Sequence, residues 1–356
     1  MFAPHVAPSF ARASRAPPRP AVRRGCWRWG AGSLEPTLYL LYAAACTLGV
    51  ALVFFRSMRQ QITLLYASLG GDPLLPELIG LGPWSAPLDD VFIHFDCARA
   101  TARGHPFEWS EGNGYSSGGT SLSYPFVLAI GYALGFVDLH LMVWAAVVAA
   151  VSVLGLLLAV RRLFEPLPRF TTYLAPPLLL ATGALDWSLW SGMETAFFLG
   201  TWGLTLALWL DLAAATPAAG RSVCARALGV GVAGALAVAT RPEAVSSVAI
   251  FGVSAAYLAL RHRPWKSAAA VLALVGAPGA LVMVAHAVAN LVVTGDAAAA
   301  GAISKLEAYD PFRGRAELLE AWGFFFWYQV ERITHYHLAA DGTRVLAGQR
   351  SYGSEW

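Results

Sequence analysis

Long charge-free apolar runs alternate with short polar segments along most of this chain. The first run, Pro36–Phe55, holds 20 residues without a charge, enough for one helix to cross the roughly 30 Å hydrocarbon core of a bilayer. Further charge-free runs cover Ser121–Val137, Leu139–Val160, Phe170–Leu185, Thr195–Leu210, Ala227–Thr240, Ala244–Leu260 and Ser267–Val293. The pattern predicts an all-α fold, a polytopic transmembrane helical bundle of about 7–8 spans.

The positions of the basic residues predict the direction in which each of these runs crosses the membrane. Six Arg precede the first run and two, Arg56 and Arg59, follow it, so the positive-inside rule predicts a cytoplasmic N-terminus. Other basic clusters fall at 161–169, 221–226 and 261–266. All three share the cytoplasmic side only if one run before them fails to cross. Ser121–Val137 is the candidate, as a re-entrant or interfacial segment. The alternative is that this run crosses the membrane completely and that the basic clusters follow the positive-inside rule less strictly.

The same pattern divides the chain into three parts. Residues 1–35 are rich in Ala, Pro and Arg without periodicity and are predicted to form a disordered basic cytoplasmic tail. Residues 36–330 form the predicted transmembrane domain, in which 56–120 is a long first extracytoplasmic loop with short interfacial helices. Residues 331–356 are a polar C-terminal tail.

Composition supports a membrane protein and excludes an ordinary soluble enzyme. Hydrophobic residues make up 57% of the chain and charged residues only 13%, whereas a soluble domain carries about 25% charged residues. The net charge of +3 gives no argument for nucleic acid as a partner. Four scattered Cys form neither a disulfide framework nor a CxxC metal pair.

Two adjacent carboxylates, Asp89 and Asp90, stand out in the predicted first outer loop. Their mutual repulsion favours a proton on one of them, which suits general-base work or cation binding. Phe92, Phe95 and Ala98 follow at helical spacing and predict a short amphipathic helix on the membrane surface. The alternative is a pair of solvated loop acids.

A second polar group interrupts the apolar stretch 227–260. Its only charges are Arg241 and Glu243, and 34 residues would make about 51 Å of helix, which exceeds the bilayer core. The stretch is therefore predicted to be two short spans that meet at this turn. The charges either face a functional cavity or simply pair with each other.

Two further positions carry candidate chemistry. Glu194 lies in a predicted outer turn, where it either takes part in a site or stabilises the next helix as an acidic residue at its start. Lys305 follows the last long run, where it either holds a lipid phosphate as a point charge or anchors the chain at the interface.

Taken together, these segments resemble the GT-C superfamily of multi-spanning glycosyltransferases, which use a polyprenyl-phosphate-linked sugar. The nearest likeness is to bacterial arabinofuranosyl- and mannosyltransferase-like members. The resembling residues occur in the family's order: Asp89-Asp90-Val91-Phe92-Ile93, Ala98-Arg99, Gly104-His105-Pro106, Gly114-Tyr115-Ser116-Ser117, Thr120-Ser121, Ser191–Phe197, Thr240–Glu243 and Ala302–Leu306. The sequence departs from the pattern after Gly295-Asp296, and the chain is expected to be C-terminally short of such proteins.

The resemblance implies a function and roles for residues. Transfer of a sugar from a polyprenyl-phosphate donor to a glycan, lipid or protein acceptor takes place outside the cytoplasm, with inversion, and Asp89 or Asp90 is the catalytic base. Arg241 and Lys305 bind the donor phosphate. The remaining candidate site residues are Arg99, Tyr115, Glu194 and Glu243. No cofactor is expected, because two carboxylates lack a third metal ligand; a divalent cation at Asp89 and Asp90 is the alternative.

Two rival functions remain from the sequence. A transporter would need broken helices paired between two halves, and no such internal symmetry is visible. A catalytically silent or truncated membrane protein of the same type is the other alternative. In every case the predicted partner is a lipid bilayer, and the Ala- and Arg-rich composition favours a bacterial inner membrane.

Overall fold

The computed structural model describes residues 34–68, 70, 86, 88–119, 121–216, 221–303 and 314–336. All regular elements in these ranges are helical, and the one β-type contact is an isolated bridge between Glu108 and Tyr115. The helices, in chain order, are α1 Glu35–Ser68, α2 Asp90–Ala102, α3 Tyr124–Ala133, α4 Leu141–Phe164, α5 Arg169–Leu180, α6 Gly183–Trp190, α7 Thr195–Ala215, α8 Arg221–Thr240, α9 Ala244–Leu260, α10 Trp265–Thr294, α11 Ala300–Ile303 and α12 Arg315–Tyr336. The predicted all-α class is confirmed for this part of the chain.

Among the residues that the structure describes, five segments are long and apolar enough to cross a bilayer: Glu35–Gln60, Asp138–Phe164, Thr195–Ala215, Ser222–Thr240 and Trp265–Thr294. Their 19 to 30 residues correspond to about 28–45 Å of helix. The predicted count of 7–8 spans is not reached by this criterion, because α3 and α9 are shorter apolar helices. The chain is a helical membrane protein.

Four arginines, from the end of α4, the start of α8 and the turn after α9, meet at one end of the bundle. Arg161 at the end of α4 pairs with Glu35 at the start of α1 at 2.7 Å. Arg162 hydrogen-bonds the carboxylate of Asp211 near the end of α7. Arg226 and Arg263 donate to the backbone carbonyls of residues 211 and 216 at 3.1 and 3.2 Å. We call this the basic end, and it confirms that the three predicted basic clusters lie together.

The opposite end, the loop end, consists of residues 88–119, 121–123, 191–194, 241–243 and 294–303. The N–H groups of Leu122 and Ser123 donate to the carbonyl of Ala239 at 2.8 and 3.1 Å, and the hydroxyl of Tyr124 donates to the carbonyl of Gly192 at 3.0 Å. These bonds tie the start of α3 to the last turn of α8 and to the turn before α7. The apolar run 227–260 does break at Arg241–Glu243, as its length predicts.

Small residues let the long helices approach closely. A Cβ on Gly231 would lie 2.1 Å from the carbonyl oxygen of Leu274, and one on Gly200 would lie 2.7 Å from the Cβ of Ser152. These contacts join α8 to α10 and α7 to α4. Close backbone approach at Gly is typical of helices that pack within a bilayer, where lipid offers no hydrophobic driving force for association.

Three predicted boundaries differ from the structure. The segment 56–68 was predicted to be loop, but α1 continues to Ser68, because charged and amide residues such as Arg and Gln are good helix formers and no Gly or Pro intervenes. The run Phe170–Leu185 is split at Thr182 into α5 and α6. The helix α12 continues to Tyr336, six residues into the predicted C-terminal tail. The rest of that tail and residues 1–33 lie outside the described ranges.

Candidate functional site

The two adjacent carboxylates sit at the start of α2 and differ in their surroundings. The side chain of Asp89 accepts a hydrogen bond from the backbone N–H of Asp90 at 2.9 Å and occupies the N-cap position. The donor is the first helical residue, whereas a standard acidic cap accepts from the N–H of the second or third. Asp90 is the first residue of the helix and is partly buried. Of the two predicted bases, Asp90 is the less exposed, and we take it as the first candidate for chemistry.

The buried face of α2 differs from the predicted membrane-facing stripe. Val91, Phe95 and Ala98 pack into a core that includes Tyr124 and Met142. Phe92, which the pattern placed on the same stripe, is 42% exposed. Positions 91, 95 and 98 recur at the i, i+4, i+7 spacing of one helix face. The helix was therefore predicted correctly, but its apolar face packs on the protein.

A buried ionic group lies one helical turn beyond Asp90. The Nε2 atom of His94 is 2.9 Å from Oε2 of Glu194, and both side chains are at most 3% exposed. Arg241 approaches the other carboxylate oxygen of Glu194 with its Nη1 atom at 3.4 Å. Residues from α2, the turn before α7 and the turn before α9 thus meet, and we call His94, Glu194 and Arg241 the buried cluster.

Sequence reasoning selected Glu194, Arg241 and Glu243 but missed His94. Glu243 is the outer partner of Arg241, at 3.4 Å with its side chain 69% exposed. The available signal for His94 was its i+4 spacing from Asp90, which puts both residues on one face of a helix. A lone His within an otherwise apolar face gave no reason to select it.

Electrostatics keep Glu194 ionised. Burial by itself would raise the pKa of this carboxyl, but the hydrogen bond and charge of His94, together with Arg241, outweigh burial and lower the pKa below its ordinary value. The Nδ1 atom of His94 is buried, and within the described ranges it has no hydrogen-bond partner. The ring of Tyr124 covers the imidazole edge-on, with centroids 5.4 Å apart.

Glu194 stands at the start of α7, and its side chain also belongs to the buried cluster. It occupies the N-cap position of α7, yet its side chain makes no capping hydrogen bond there. The carboxylate turns instead toward α2 and Arg241. The position fits both interpretations, because an ionised carboxylate at the start of α7 also interacts favourably with the helix dipole.

Arg99 belongs to a different set of contacts, within the first loop. Its Nη1 atom pairs with Asp96 at 2.9 Å and its Nε atom with Glu111 at 3.2 Å, and Arg103 also reaches Glu111 at 3.0 Å. These ion pairs hold the segment after α2 against the helix itself. Arg99 thus shapes the loop that follows the two acids.

Tyr115 contacts a third part of the loop end. Its hydroxyl hydrogen-bonds Oδ1 of Asn290 on α10, and Asn290 is 1% exposed. Two residues after Tyr115, the hydroxyl of Ser117 accepts a hydrogen bond from the N–H of Ala300 at 3.2 Å. The sequence gave Tyr115 as a candidate, but it offered no signal for Asn290, because the two residues are 175 positions apart.

Two predicted features are left untested by the geometry. Lys305 and its neighbours 304–306 lie outside the described residues. Within the ranges that the structure covers, no three His, Cys, Asp or Glu side chains gather as metal ligands. Whether the site works without a metal, or holds a divalent cation at Asp89 and Asp90, stays a prediction.

No family model matches this chain, and no curated protein or solved structure is significantly similar to it. The likeness to polyprenyl-phosphate-dependent glycosyltransferases therefore rests on the motifs of the sequence. What the geometry adds is that Glu194 and Arg241, from two of these motifs, meet at the buried cluster together with His94, the residue that directly follows the first motif.

Proposed function

We propose that this chain is an integral membrane glycosyltransferase that moves a sugar from a polyprenyl-phosphate donor to an acceptor at the extracytoplasmic face. The observation that supports this most is the buried cluster. Through His94 it joins the helix that begins with Asp90 to the turns that carry Glu194 and Arg241. Motifs that are 100 residues and more apart in the chain thus share one end of the bundle, as a common active site requires.

The proposed topology has seven crossings and a cytoplasmic N-terminus. Five crossings are the long apolar helices, the sixth is α9, and the seventh is α5 together with α6. The 17 residues of α9 make about 26 Å of helix, close to the thickness of the core. The basic end then faces the cytoplasm, as the positive-inside rule requires, and the loop end faces outward.

In the proposed reaction Asp90 removes the proton from an acceptor hydroxyl while that oxygen attacks the anomeric carbon of the donor. The bond from the anomeric carbon to the polyprenyl-phosphate oxygen breaks on the opposite side, so that the configuration at the anomeric carbon is inverted. Arg241 meets the negative charge that grows on the leaving phosphate. Its guanidinium is partly exposed and touches Glu194 and Glu243 at 3.4 Å each, which leaves N–H groups for a phosphate. Lys305 is proposed as a second phosphate ligand.

The experiment is a transfer assay with the purified chain in liposomes that contain a labelled polyprenyl-phosphate sugar and an acceptor extract. Asp90→Asn keeps the size of the side chain but removes the base, and we expect transfer to fall on the order of a hundred- to ten-thousandfold. Asp89→Asn is the matched control, because Asn is as good a helix cap as Asp, and it should transfer at close to the wild-type rate.

Full transfer by Asp90→Asn would contradict its role as the base. Absence of transfer by the wild-type chain with every donor would favour a catalytically silent protein. Movement of labelled solute across the liposome without any glycosidic product would favour a transporter. Transfer that a chelator abolishes and a divalent cation restores would replace the metal-independent scheme by the alternative with a cation at Asp89 and Asp90.

A further inference from the structure

The helix α12 carries large apolar side chains that the described part of the chain leaves exposed. Leu319, Trp322 and Phe326 recur at the i, i+3, i+7 spacing of one helix face, and they are between 59% and 68% exposed. We call these three residues the apolar face of α12. Glu317 and Glu320 are also exposed and lie away from this face.

The composition of α12 is that of a helix at a membrane surface. Trp327, 68% exposed, flanks the apolar face, whereas Phe324, 64% exposed, lies on the side of the two acids. Leu, Phe and Trp on one side and charged residues on the other are typical of helices that lie between headgroups and acyl chains. Because the helix holds three Glu and two Arg, its apolar area, and not attraction to anionic lipid, would hold it there.

The helix α12 is too polar to cross the bilayer. Its charge-free run, Ala321–Val330, has ten residues, or about 15 Å of helix, which is half of the roughly 30 Å core. A crossing would bring Glu320, Glu331 and Arg332 into the core, where charges are costly. The helix is accordingly not among the five segments that are long and apolar enough to cross.

The chain keeps α12 close to the membrane surface at the loop end. The helix α10 ends there, and Ala300 at the start of α11 is bonded there to Ser117. The twelve steps from Ile303 to Arg315 reach at most about 40 Å. Four of the ten residues 304–313 are charged, so this segment is too polar to cross to the other side. The bilayer surface at the loop end is therefore within reach of the apolar face.

We propose that α12 lies in the plane of the membrane at the loop end, with its apolar face in the boundary between lipid headgroups and acyl chains. Helices of this kind bury their apolar side by about 5–10 Å. Trp322 and Trp327 then lie at the level where Trp is enriched in membrane proteins. The partner is the lipid surface as a whole and not a single bound lipid. The proposal needs no transfer reaction, so it stands or falls separately from the proposed function.

The test is site-directed spin labelling of the full chain in liposomes of phosphatidylethanolamine and phosphatidylglycerol. The four native cysteines are replaced, and each protein then carries one new cysteine. The accessibility of its label to oxygen, which dissolves in lipid, is compared with its accessibility to a water-soluble nickel chelate. The variants are Leu319→Cys, Trp322→Cys and Phe326→Cys on the apolar face and Glu317→Cys and Glu320→Cys on the acidic side.

Two further positions calibrate the depth. Leu281→Cys, at an exposed site near the middle of α10, is the lipid reference, and Asn113→Cys, in the exposed part of the first loop, is the water reference. We expect oxygen access to exceed nickel access on the apolar face, at a depth between the two references. The order should reverse at positions 317 and 320.

Three results would overturn the proposal. Low access of both reagents to the apolar face would show that protein covers it. Higher nickel than oxygen access there would show that the helix lies in water. A depth that increases steadily along α12 to that of Leu281→Cys would show that the helix crosses the membrane.

Trp322→Phe gives a second readout that keeps the face apolar and needs no label. The emission that this variant loses relative to wild type is that of Trp322. In liposomes of brominated phosphatidylcholine, we expect bromine near the headgroup to quench this emission more than bromine deep in the acyl chain. Trp190→Phe, at a side chain that is 1% exposed, is the matched control, and its share of the emission should not be quenched. No quenching of Trp322, or stronger quenching by the deep bromine, would contradict an interfacial helix.

Discussion

Glu194→Gln is the change that most strongly perturbs the buried cluster. It keeps the size of the side chain, but it replaces one of the two acceptor oxygens by an NH2 donor and removes the negative charge that faces His94 at 2.9 Å and Arg241 at 3.4 Å. Removal of one partner from a buried ion pair costs about 3–5 kcal/mol. Because Gln still hydrogen-bonds and Arg241 retains Glu243, we expect a loss of roughly 2–3 kcal/mol.

The matched control lies in the same contact network. Glu243→Gln removes the other carboxylate near Arg241, whose side chain is 69% exposed, and exposed pairs contribute only about 0–1 kcal/mol. The assay is unfolding of the detergent-purified proteins by heat and by denaturant, followed by tryptophan fluorescence. Equal destabilisation by the two variants would refute the reasoning that burial makes Glu194 the critical carboxylate.

The pH dependence gives a second readout of the same perturbation. The pKa of Glu194 in the folded protein lies below its ordinary value of 4.5, so its ionised form stabilises the fold fully above that pH. This contribution is lost as the pH falls through the folded-state pKa. The stability difference between wild type and Glu194→Gln should therefore be constant near neutral pH and shrink below about pH 4.5. A difference that does not change with acid would contradict the ionic account.

Three further predictions follow from other parts of the fold. Gly231→Ala, whose Cβ would meet a backbone carbonyl at 2.1 Å, should destabilise the protein by about 1–3 kcal/mol, whereas Gly229→Ala, with open space around the new Cβ, should be neutral or stabilising in the same unfolding assay. Arg241→Ala should weaken donor binding about ten- to hundredfold with the protein still inserted; failed insertion with unchanged donor binding in the remaining protein would show a structural role. Burial raises the pKa of the Cys97 thiol to about 11, so Cys97 should react with maleimide much more slowly than the exposed Cys224.

Patterns that depend on helix length and charge were predictable from the sequence. The turn at Arg241–Glu243 follows from an apolar run too long for one crossing. The common position of the basic clusters follows from the alternation of runs, and it is confirmed by the contacts around Asp211. Arg241 is a candidate because it is one of two charges in a long apolar stretch, and Glu194 is a candidate because it lies in a predicted outer turn; the structure shows that the two meet.

What the sequence did not predict depends on contacts between distant parts of the chain. His94 and Glu194 are 100 positions apart, and Tyr115 and Asn290 are 175 apart, so no local spacing could pair them. The apolar face of α2 was misjudged because a pattern with Phe at both 92 and 95 fits two faces of a helix. The extension of α1 to Ser68 was missed because charge ends a membrane span but does not end a helix.

The sidedness of the loop end tests the central claim most directly, since extracytoplasmic transfer requires Asp90, Glu194 and Arg241 outside. Two single-cysteine proteins suffice: one keeps Cys224, close to the basic end, and the other carries Asn113→Cys in the exposed part of the first loop. An impermeant thiol reagent added to intact cells should label the cysteine at position 113, and it should label Cys224 only after the membrane is opened. Labelling of Cys224 but not of position 113 in intact cells would place the buried cluster in the cytoplasm and contradict the account.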